Sequence, residues 1–219
     1  EEVARLVGFD HFPDELRAFR PGTVPDHPLH VASQRVREAM VAAGLLEARP
    51  LPFVRGDDAT HVRVANPLAD DEPHLRTRVL DTLARRAEHN LARMQGNVRL
   101  FEIGAVFAPN AVAALPRERR HVAALVMGNR RPAHFTEPPA FDVWDARWLA
   151  ETLAGAAFPG STIALEPGDG SEVLWTVQVD GTPVGEVRRV PLDAPVWAAP
   201  AFGVELTLAT LESGEVAAA

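Results

Sequence analysis

The sequence predicts an α+β fold, a mainly antiparallel sheet flanked by helices, and two observations support this prediction. The first is segment 66–107, in which a turn at Asn66-Pro67-Leu68 leads into an amphipathic helix and then into a strand. Residues 98–107 are mostly apolar and are interrupted by one carboxylate, Glu102, a pattern typical of a central strand buried on both faces. The second observation is Asp180-Gly181 between two apolar runs, which is a strong β-hairpin signal.

The helix inside this segment carries one continuous apolar stripe, because its apolar residues are spaced by three and four. We expect two of them, Leu83 and Leu91, to be buried beneath the strand 98–107. Gly96 is predicted to adopt a positive φ just past the helix end, where glycine is favoured. The full stripe consists of Leu80, Leu83, Ala84, Ala87, Leu91 and Met94.

Composition limits the function classes. The 219 residues are 47% apolar, enough for one sizeable core, and no apolar run approaches the ~20 residues of a membrane span. The basic residues are all arginine and there is no cysteine, which excludes a lysine-containing phosphate loop, a Schiff-base lysine, disulfides and thiolate metal sites. A net charge of −8 disfavours nucleic acid as the main partner. The acidic first residues do not form a signal peptide, so a cytoplasmic location is expected.

The first part of the chain divides into a connector and the start of a domain. Residues 1–24 are interpreted as the tail of a preceding domain plus a connector, and residues 25–219 as the main domain. A helix is predicted over 28–43, with Asp26 or His27 as its cap and Gly44 after its end. Val31 and Val41 lie off its core stripe, which is formed by Leu29, Ala32, Val36, Ala39, Met40 and Ala43.

The remaining elements follow from local patterns. Residues 45–54 contain two prolines, which favours an edge strand. In residues 60–65 polar and apolar side chains alternate, a pattern typical of a strand. The run 117–120, Arg-Glu-Arg-Arg, could contact RNA, but a solvated loop before a buried strand at 121–127 is favoured. The last elements predicted are a Pro-rich loop at 128–140, a helix at 142–155 in which Trp144 and Trp148 pack, and strands at 162–166, 174–179, 184–190 and 203–208.

No familiar catalytic or metal motif occurs. The histidines never fall in H-x-H or H-E-x-x-H spacing, and no G-x-S-x-G elbow is present. Two acidic groups in turns, 57–58 and 70–72, could serve acid–base chemistry, but solvated side chains are the favoured interpretation. Asp70 or Asp71 is expected to cap the helix that follows.

Segment 66–107 resembles the β chain of bacterial phenylalanyl-tRNA synthetase. That family has an Asn-Pro-Leu turn, a Glu, Leu-Arg-Thr, a Leu-rich helix with an Asn, and then Leu-Phe-Glu-Ile-Gly-Arg-Val-Phe. One position departs from the pattern, since Ala105 replaces the family's Arg after the Gly. The matching residues here are 66–68, Glu72, 75–77, Asn90 and 100–107.

A second match lies at the N-terminus, where Glu1-Glu2-Val3-Ala4-Arg5, 8–10 and Pro13 are similar to the family's Glu-Glu-Val-Ala-Arg, Gly-Tyr-Asp and Pro. The resemblance implies that Glu1 and Glu2 are half of a magnesium site, whose two Asp ligands would lie upstream of this chain. Several hard oxygen ligands suit Mg²⁺. An acidic first helical turn favoured by the helix dipole is the preferred alternative for the chain alone.

The resemblance implies the core fold of class II aminoacyl-tRNA synthetases and a catalytic-like domain without activity. In catalytic members, the strand resembling 100–107 continues into an Arg that clamps the ATP α-phosphate, for which the planar guanidinium is suited. Here the strand continues into Ala108-Pro109-Asn110, and the later ATP-binding Arg segment has no counterpart. The last third of the chain also lacks the family's His-Pro-Gly-Arg-Ser-Ala segment.

The implied function is that of a non-catalytic structural domain of the β subunit. It would pair with the α subunit, which attaches phenylalanine to tRNA using ATP and Mg²⁺, and the helix 28–43 with Val31 and Val41 would form the interface. The complete assembly would bind tRNA mainly outside this domain. The alternative hypothesis is a synthetase-like paralogue that self-associates and acts as a regulatory binding module.

Overall fold

The computed structural model describes residues 2–15, 18, 20, 22, 24–111, 115–132 and 134–208. Within them the α+β architecture is confirmed, with helices on both faces of a large sheet. The helices are α1 (Glu2–Val7), α2 (Pro28–Ala42), α3 (Val79–Leu91) and α4 (Val143–Ala157), with a 3₁₀ turn at Phe9–His11. The strands are β1 (Leu46–Glu47), β2 (Phe53–Val54), β3 (Val62–Arg63), β4 (His74–Leu75), β5 (Val98–Ala108), β6 (Arg117–Met127), β7 (Ile163–Pro167), β8 (Val173–Val179), β9 (Thr182–Val190) and β10 (Ala201–Thr207).

The large sheet has seven strands in the order β1-β5-β6-β10-β9-β8-β7. It is mixed: the short edge strand β1 runs parallel to β5, and every other neighbouring pair is antiparallel. A second, small antiparallel sheet has the order β2-β4-β3. The prediction of a mainly antiparallel sheet therefore holds for all neighbours except the β1–β5 pair.

Strand β5 is buried on both faces, as predicted. Phe101 packs in the core that α2 and α4 form on one face. Val98 and Val106 pack with Leu83 and Leu91 of α3 on the other face. Because side chains alternate along a strand, a single apolar strand can supply both cores.

Helix α2 forms where the sequence places it. Pro28 occupies its first turn, the His27 Nδ1 atom accepts a hydrogen bond from the Leu29 N–H (3.2 Å), and Gly44 follows the end with φ 81°. Glycine suits that φ because it has no Cβ to clash. The Arg35 guanidinium donates to the Ala156 carbonyl (3.1 Å), which ties α2 to the end of α4.

The end of α3 differs from the prediction. The helix stops at Leu91, and Met94, expected at the end of the stripe, has φ 61° and is 73% exposed. Gly96 does not take the positive φ. It instead leaves space for Trp197, whose ring would lie 3.0 Å from a Cβ at that position. The sequence pattern could not reveal this contact because Trp197 is distant along the chain.

Two other expectations were wrong. Residues 117–120 are the first residues of β6 and not a loop, since β6 pairs with β5 from Met127 to Arg117, which lies opposite Ala108. A long partner strand provides hydrogen bonds that local charge patterns do not reveal. Trp144 and Trp148 are both exposed on α4, so they are not core packing residues.

The C-terminal third is regular despite its divergence from the family pattern. The hairpin at Asp180-Gly181 is confirmed, with φ of 50° and 81° at its two turn residues. The Asp180 side chain accepts a hydrogen bond from the Thr162 N–H (2.8 Å), which joins the turn to the start of β7. Among the described helices, none has the length and apolar character needed to cross a membrane.

Candidate functional site

A buried ion pair joins the residue after β4 to the middle of β5. The Arg76 guanidinium donates to both oxygens of the Glu102 carboxylate, at 2.6 and 2.9 Å, and the two side chains are only 3% and 5% exposed. Arg76 also donates to the Thr82 hydroxyl (2.7 Å) and to the Ala105 carbonyl (2.9 Å). Such a two-pronged contact fixes orientation as well as charge. Burial raises the pKa of the Glu102 carboxyl, and Arg76 opposes that shift by stabilising the carboxylate.

Gly104 makes room for this pair. A Cβ at that position would lie 2.1 Å from Arg76 Nη2 and 2.5 Å from Glu102 Oε1, so any side chain would displace the contact. The contact explains why a Glu and a Gly stand two residues apart in Leu-Phe-Glu-Ile-Gly. Glu102 supplies the buried charge, and Gly104 leaves the space that the ion pair occupies.

A second carboxylate anchors the start of α3. Glu205 of β10 accepts hydrogen bonds from the Val79 and Leu80 N–H groups, both at 2.9 Å. These are two of the amides that a helix N-terminus leaves without an intrahelical partner. Asp70 and Asp71 do not cap α3, contrary to expectation. The residue at its N-cap position is Arg78, whose side chain makes no cap hydrogen bond.

His121 extends this network in the order hydroxyl, imidazole, carboxylate. Its Nδ1 donates to the Glu205 carboxylate (2.7 Å), and its Nε2 lies 3.1 Å from the Thr207 hydroxyl. The order matches that of a nucleophilic triad. Here, however, both Glu205 oxygens are already bound to the start of α3, so the network serves first to hold α3 against β6 and β10.

One cavity lies beside the first half of α2, against residues 102–107 of β5 and Arg120 of β6. It has a volume of about 580 Å³. Its apolar surface comes from Leu29, Ile103 and Phe107, among others. Its charged and imidazole groups are Arg37, Arg49, Arg76, Arg120, His27, His30 and Glu102.

The smaller cavity, about 200 Å³, lies at the ends of β5 and β6 and includes Arg117 and Arg119. Arg117 is directly opposite Ala108, the last residue of β5. The hairpin β5–β6 therefore brings cations to the strand end from its second strand. The prediction of a loop at 117–120 did not include this arrangement.

Only one of the two predicted magnesium residues, Glu2, belongs to the described part of the chain. Glu1 lies outside the described residues. Glu2 is exposed at the start of α1 and lies 3.5 Å from Arg5, an ion pair along the helix. In the part of the chain that is described, no group of three or more His, Asp or Glu side chains is arranged to hold a metal. The half site implied for Glu1 and Glu2, whose other ligands would lie upstream of this chain, stays a prediction.

The predicted interface residues are on the surface. Val31 is 37% exposed and Val41 is 57% exposed, while Val36 and Met40 on the same helix are fully buried. Helix α2 thus presents two valines to solvent on the side away from the core.

Residues 13–185 match the family described as the phenylalanyl tRNA synthetase beta chain CLM domain. The chain belongs to this family. The chain is also similar to full-length phenylalanine–tRNA ligase beta subunits. It is 34% identical to that of Listeria innocua over 152 residues, covering 64% of this chain and 18% of the relative. It is 31% identical to that of Bifidobacterium longum over 234 residues, covering 76% of this chain and 27% of the relative.

The chain therefore spans less than a third of these relatives' length. Among solved structures, pyrrolysyl-tRNA synthetases of Desulfitobacterium hafniense share the fold. One, titled PylSc, aligns with a TM-score of 0.59 over 96% of this chain and 72% of that chain, at 13% identity. Another aligns at a TM-score of 0.56 with the same coverage. This likeness confirms the synthetase-like core expected from the sequence.

Sequence reasoning found some of these residues and missed others. Leu75-Arg76-Thr77 and Glu102 were singled out as family pattern residues, but nothing local showed that Arg76 and Glu102 pair. A buried charge in an apolar strand requires a partner, so this rule could have indicated that Glu102 has a cationic partner. Glu205 and His121 were missed, because their contacts join β10, β6 and α3 from distant parts of the chain.

Proposed function

We propose that this domain is a non-catalytic structural part of a phenylalanine–tRNA ligase β subunit. It pairs with an α subunit, which attaches phenylalanine to its tRNA using ATP. The observation that supports the lack of catalysis is the end of β5, which passes from Ala108 to Pro109 where the resemblance places the phosphate-clamping Arg of catalytic synthetases. Adenylate formation needs fixed cations where charge develops in the transition state.

Arg117 is the residue that could contradict this proposal, since it lies opposite Ala108 in the β5–β6 ladder. The test is phenylalanine-dependent exchange of pyrophosphate into ATP by the purified domain, with and without an α subunit. We expect no exchange by the domain alone and exchange once the α subunit is added. Exchange by the domain alone that disappears in Arg117→Gln would refute the proposal and would identify the cation responsible.

The pairing surface in this proposal is the outward side of α2. Two exposed valines on a helix whose opposite side is fully buried suit an interface, because apolar side chains gain most when a partner excludes water from them. Co-expression with the α subunit followed by a native mass measurement should give a complex. Val31→Glu combined with Val41→Glu should abolish it and leave the fold intact.

The matched control is Val24→Glu combined with Val196→Glu. Both of these valines are more exposed than Val31 and Val41, and neither is on α2, so the control adds the same charge elsewhere. Equal loss of pairing in both double variants would attribute the effect to charge alone. A stable homo-oligomer of the domain that α subunit does not displace would instead favour a self-associating regulatory module.

Mg²⁺ and tRNA are expected to be bound by the complete assembly. The Mg²⁺ implied for Glu1 and Glu2 would need further ligands from outside this chain. tRNA is expected to contact other parts of the β and α subunits more than this acidic domain. The cytoplasm is the expected location of that assembly.

A further inference from the structure

The 580 Å³ cavity beside α2 is unusual for this chain because of its charge. The whole protein has 30 acidic and 22 basic side chains, yet the cavity is lined by four arginines and by a single carboxylate, Glu102. That carboxylate is already held by Arg76 through two hydrogen bonds. The cavity is therefore a local basic site on an acidic molecule.

Not all of this charge is available to a ligand. Arg37 donates to both oxygens of Glu47, at 2.7 and 3.1 Å, and Arg49 donates to the same carboxylate at 3.2 Å. One carboxylate thus faces two guanidinium groups, which leaves one positive charge in excess. Arg120 adds a second positive charge, since its side chain makes no hydrogen bond or ion pair within the described residues.

Neutral donors and apolar surface complete the site. His30 lines the cavity and has no side-chain hydrogen bond within the described residues, so its ring is available to a ligand. The N-terminal turn of α2, which carries a partial positive charge, lies at the same place. Leu29, Ile103 and Phe107 supply an apolar wall.

We propose that this cavity is a binding site for a phosphate dianion, either free phosphate or the phosphate group of a small organic molecule. The two excess positive charges match the charge of a phosphate monoester near neutral pH, and the guanidinium fork suits its oxygens. The apolar wall would favour an organic phosphate. This inference is independent of pairing with an α subunit and requires no catalytic step.

The test is isothermal calorimetry on the whole chain, at constant ionic strength, with inorganic phosphate and phenyl phosphate as probes. We expect saturable binding of both probes that is weakened about tenfold or more by Arg120→Gln, because the variant loses a charge-assisted hydrogen bond and one of the two excess positive charges. His30→Ala should also weaken binding, and it provides a second variant should Arg120→Gln fail to fold. Tighter binding of phenyl phosphate would identify an organic phosphate as the ligand, and equal binding would identify free phosphate.

Arg119→Gln is the matched control. It removes the same charge from the adjacent position of β6, but its side chain lines the smaller cavity and not this one. Binding should change by less than about twofold in this variant. Equal weakening by Arg119→Gln and Arg120→Gln would show general charge attraction, weakening by Arg119→Gln alone would place the anion in the smaller cavity, and absence of saturable binding would also overturn the proposal.

Discussion

Removing only one member of the buried Arg76–Glu102 pair should cost more stability than removing both. In Glu102→Leu, the Arg76 guanidinium keeps its positions on Thr82 and the Ala105 carbonyl but loses its counter-charge at a site where its side chain is 3% exposed. Leaving one charge of a buried pair without its partner typically costs about 3–5 kcal/mol. That is a large fraction of the roughly 5–15 kcal/mol by which folded domains are stable.

In the double variant Arg76→Met with Glu102→Leu, no buried charge remains. The lost contacts are then offset by the removal of two desolvated charges, and such replacements are often close to neutral. We expect the double variant to be more stable than Glu102→Leu by about 2 kcal/mol or more, because the Arg76 charge that has lost its partner is no longer buried. The Ala105 carbonyl, which loses its donor, sets a limit on the recovery.

Urea denaturation followed by circular dichroism measures these free energies of unfolding. A matched control is Glu151→Leu, because Glu151 and its partner Arg147 are both exposed on α4 and the loss of this surface pair should cost little. The single variant Arg76→Met completes the set. If the losses of Arg76→Met and Glu102→Leu add up in the double variant, or if Glu102→Leu costs less than about 1 kcal/mol, the two residues do not form a buried ion pair.

Three further predictions concern other parts of the fold. Leu83→Ala should lower the free energy of unfolding by ~2–5 kcal/mol, because Leu83 is fully buried between α3 and β5, and a loss below ~0.5 kcal/mol in urea would contradict that burial. Asp142→Ala should lower the free energy of unfolding by about 0.5–2 kcal/mol, because Asp142 caps α4 by accepting hydrogen bonds from the Trp144 and Asp145 N–H groups. Asp193 is exposed and lies outside any helix start, so Asp193→Ala should cost less in the same urea titration. The hydrogen bond from Arg37 lowers the pKa of Glu47, so Glu47 stabilises the fold above the ordinary glutamate pKa of about 4.3, and this contribution is lost as the pH falls through the lowered value. The stability difference between the parent and Glu47→Gln should therefore shrink below about pH 4 and stay constant near neutral pH, which denaturation at several pH values will check.

Local patterns predicted the elements whose signals are contained in a few neighbouring residues. Helix α2 has its cap, its proline and its terminal glycine within one stretch, and the hairpin at Asp180-Gly181 is encoded by two residues. The prediction for the end of α3 was wrong because Met94 adopts the positive φ, whereas Gly96 leaves space for the ring of Trp197. A glycine near a helix end can thus serve a distant contact, which sequence spacing does not show.

The candidate site was predicted less completely for the same reason. Arg76 and Glu102 stood out as residues of a family pattern, but their pairing depends on β4, α3 and β5 meeting in space. The charge pattern favoured a solvated loop that includes Arg120. In the structure β6 begins at Arg117, and Arg120 lines the cavity beside α2. A strand gives alternate charges to opposite faces, so one short basic run supplies both cavities.

The two faces of the large sheet are organised by different kinds of interaction. On the α3 face, two buried carboxylates hold the helix: Glu102 through Arg76 and Thr82, and Glu205 through the amides at the helix start. On the other face α2 and α4 pack mainly through apolar side chains, and α2 keeps its valines and a basic cavity at the surface. Polar anchors need exact geometry to offset desolvation, so they fix α3 in one position. The α2 face also has a polar contact, since Arg37 of α2 donates to Glu47 of the edge strand β1, but that pair is partly exposed and the contacts of α2 and α4 with the central strands are apolar. The outward side of α2 can therefore accept a partner without disturbing the buried network that holds α3, whereas an anion in the cavity would lie beside Arg76 and Glu102 of that network.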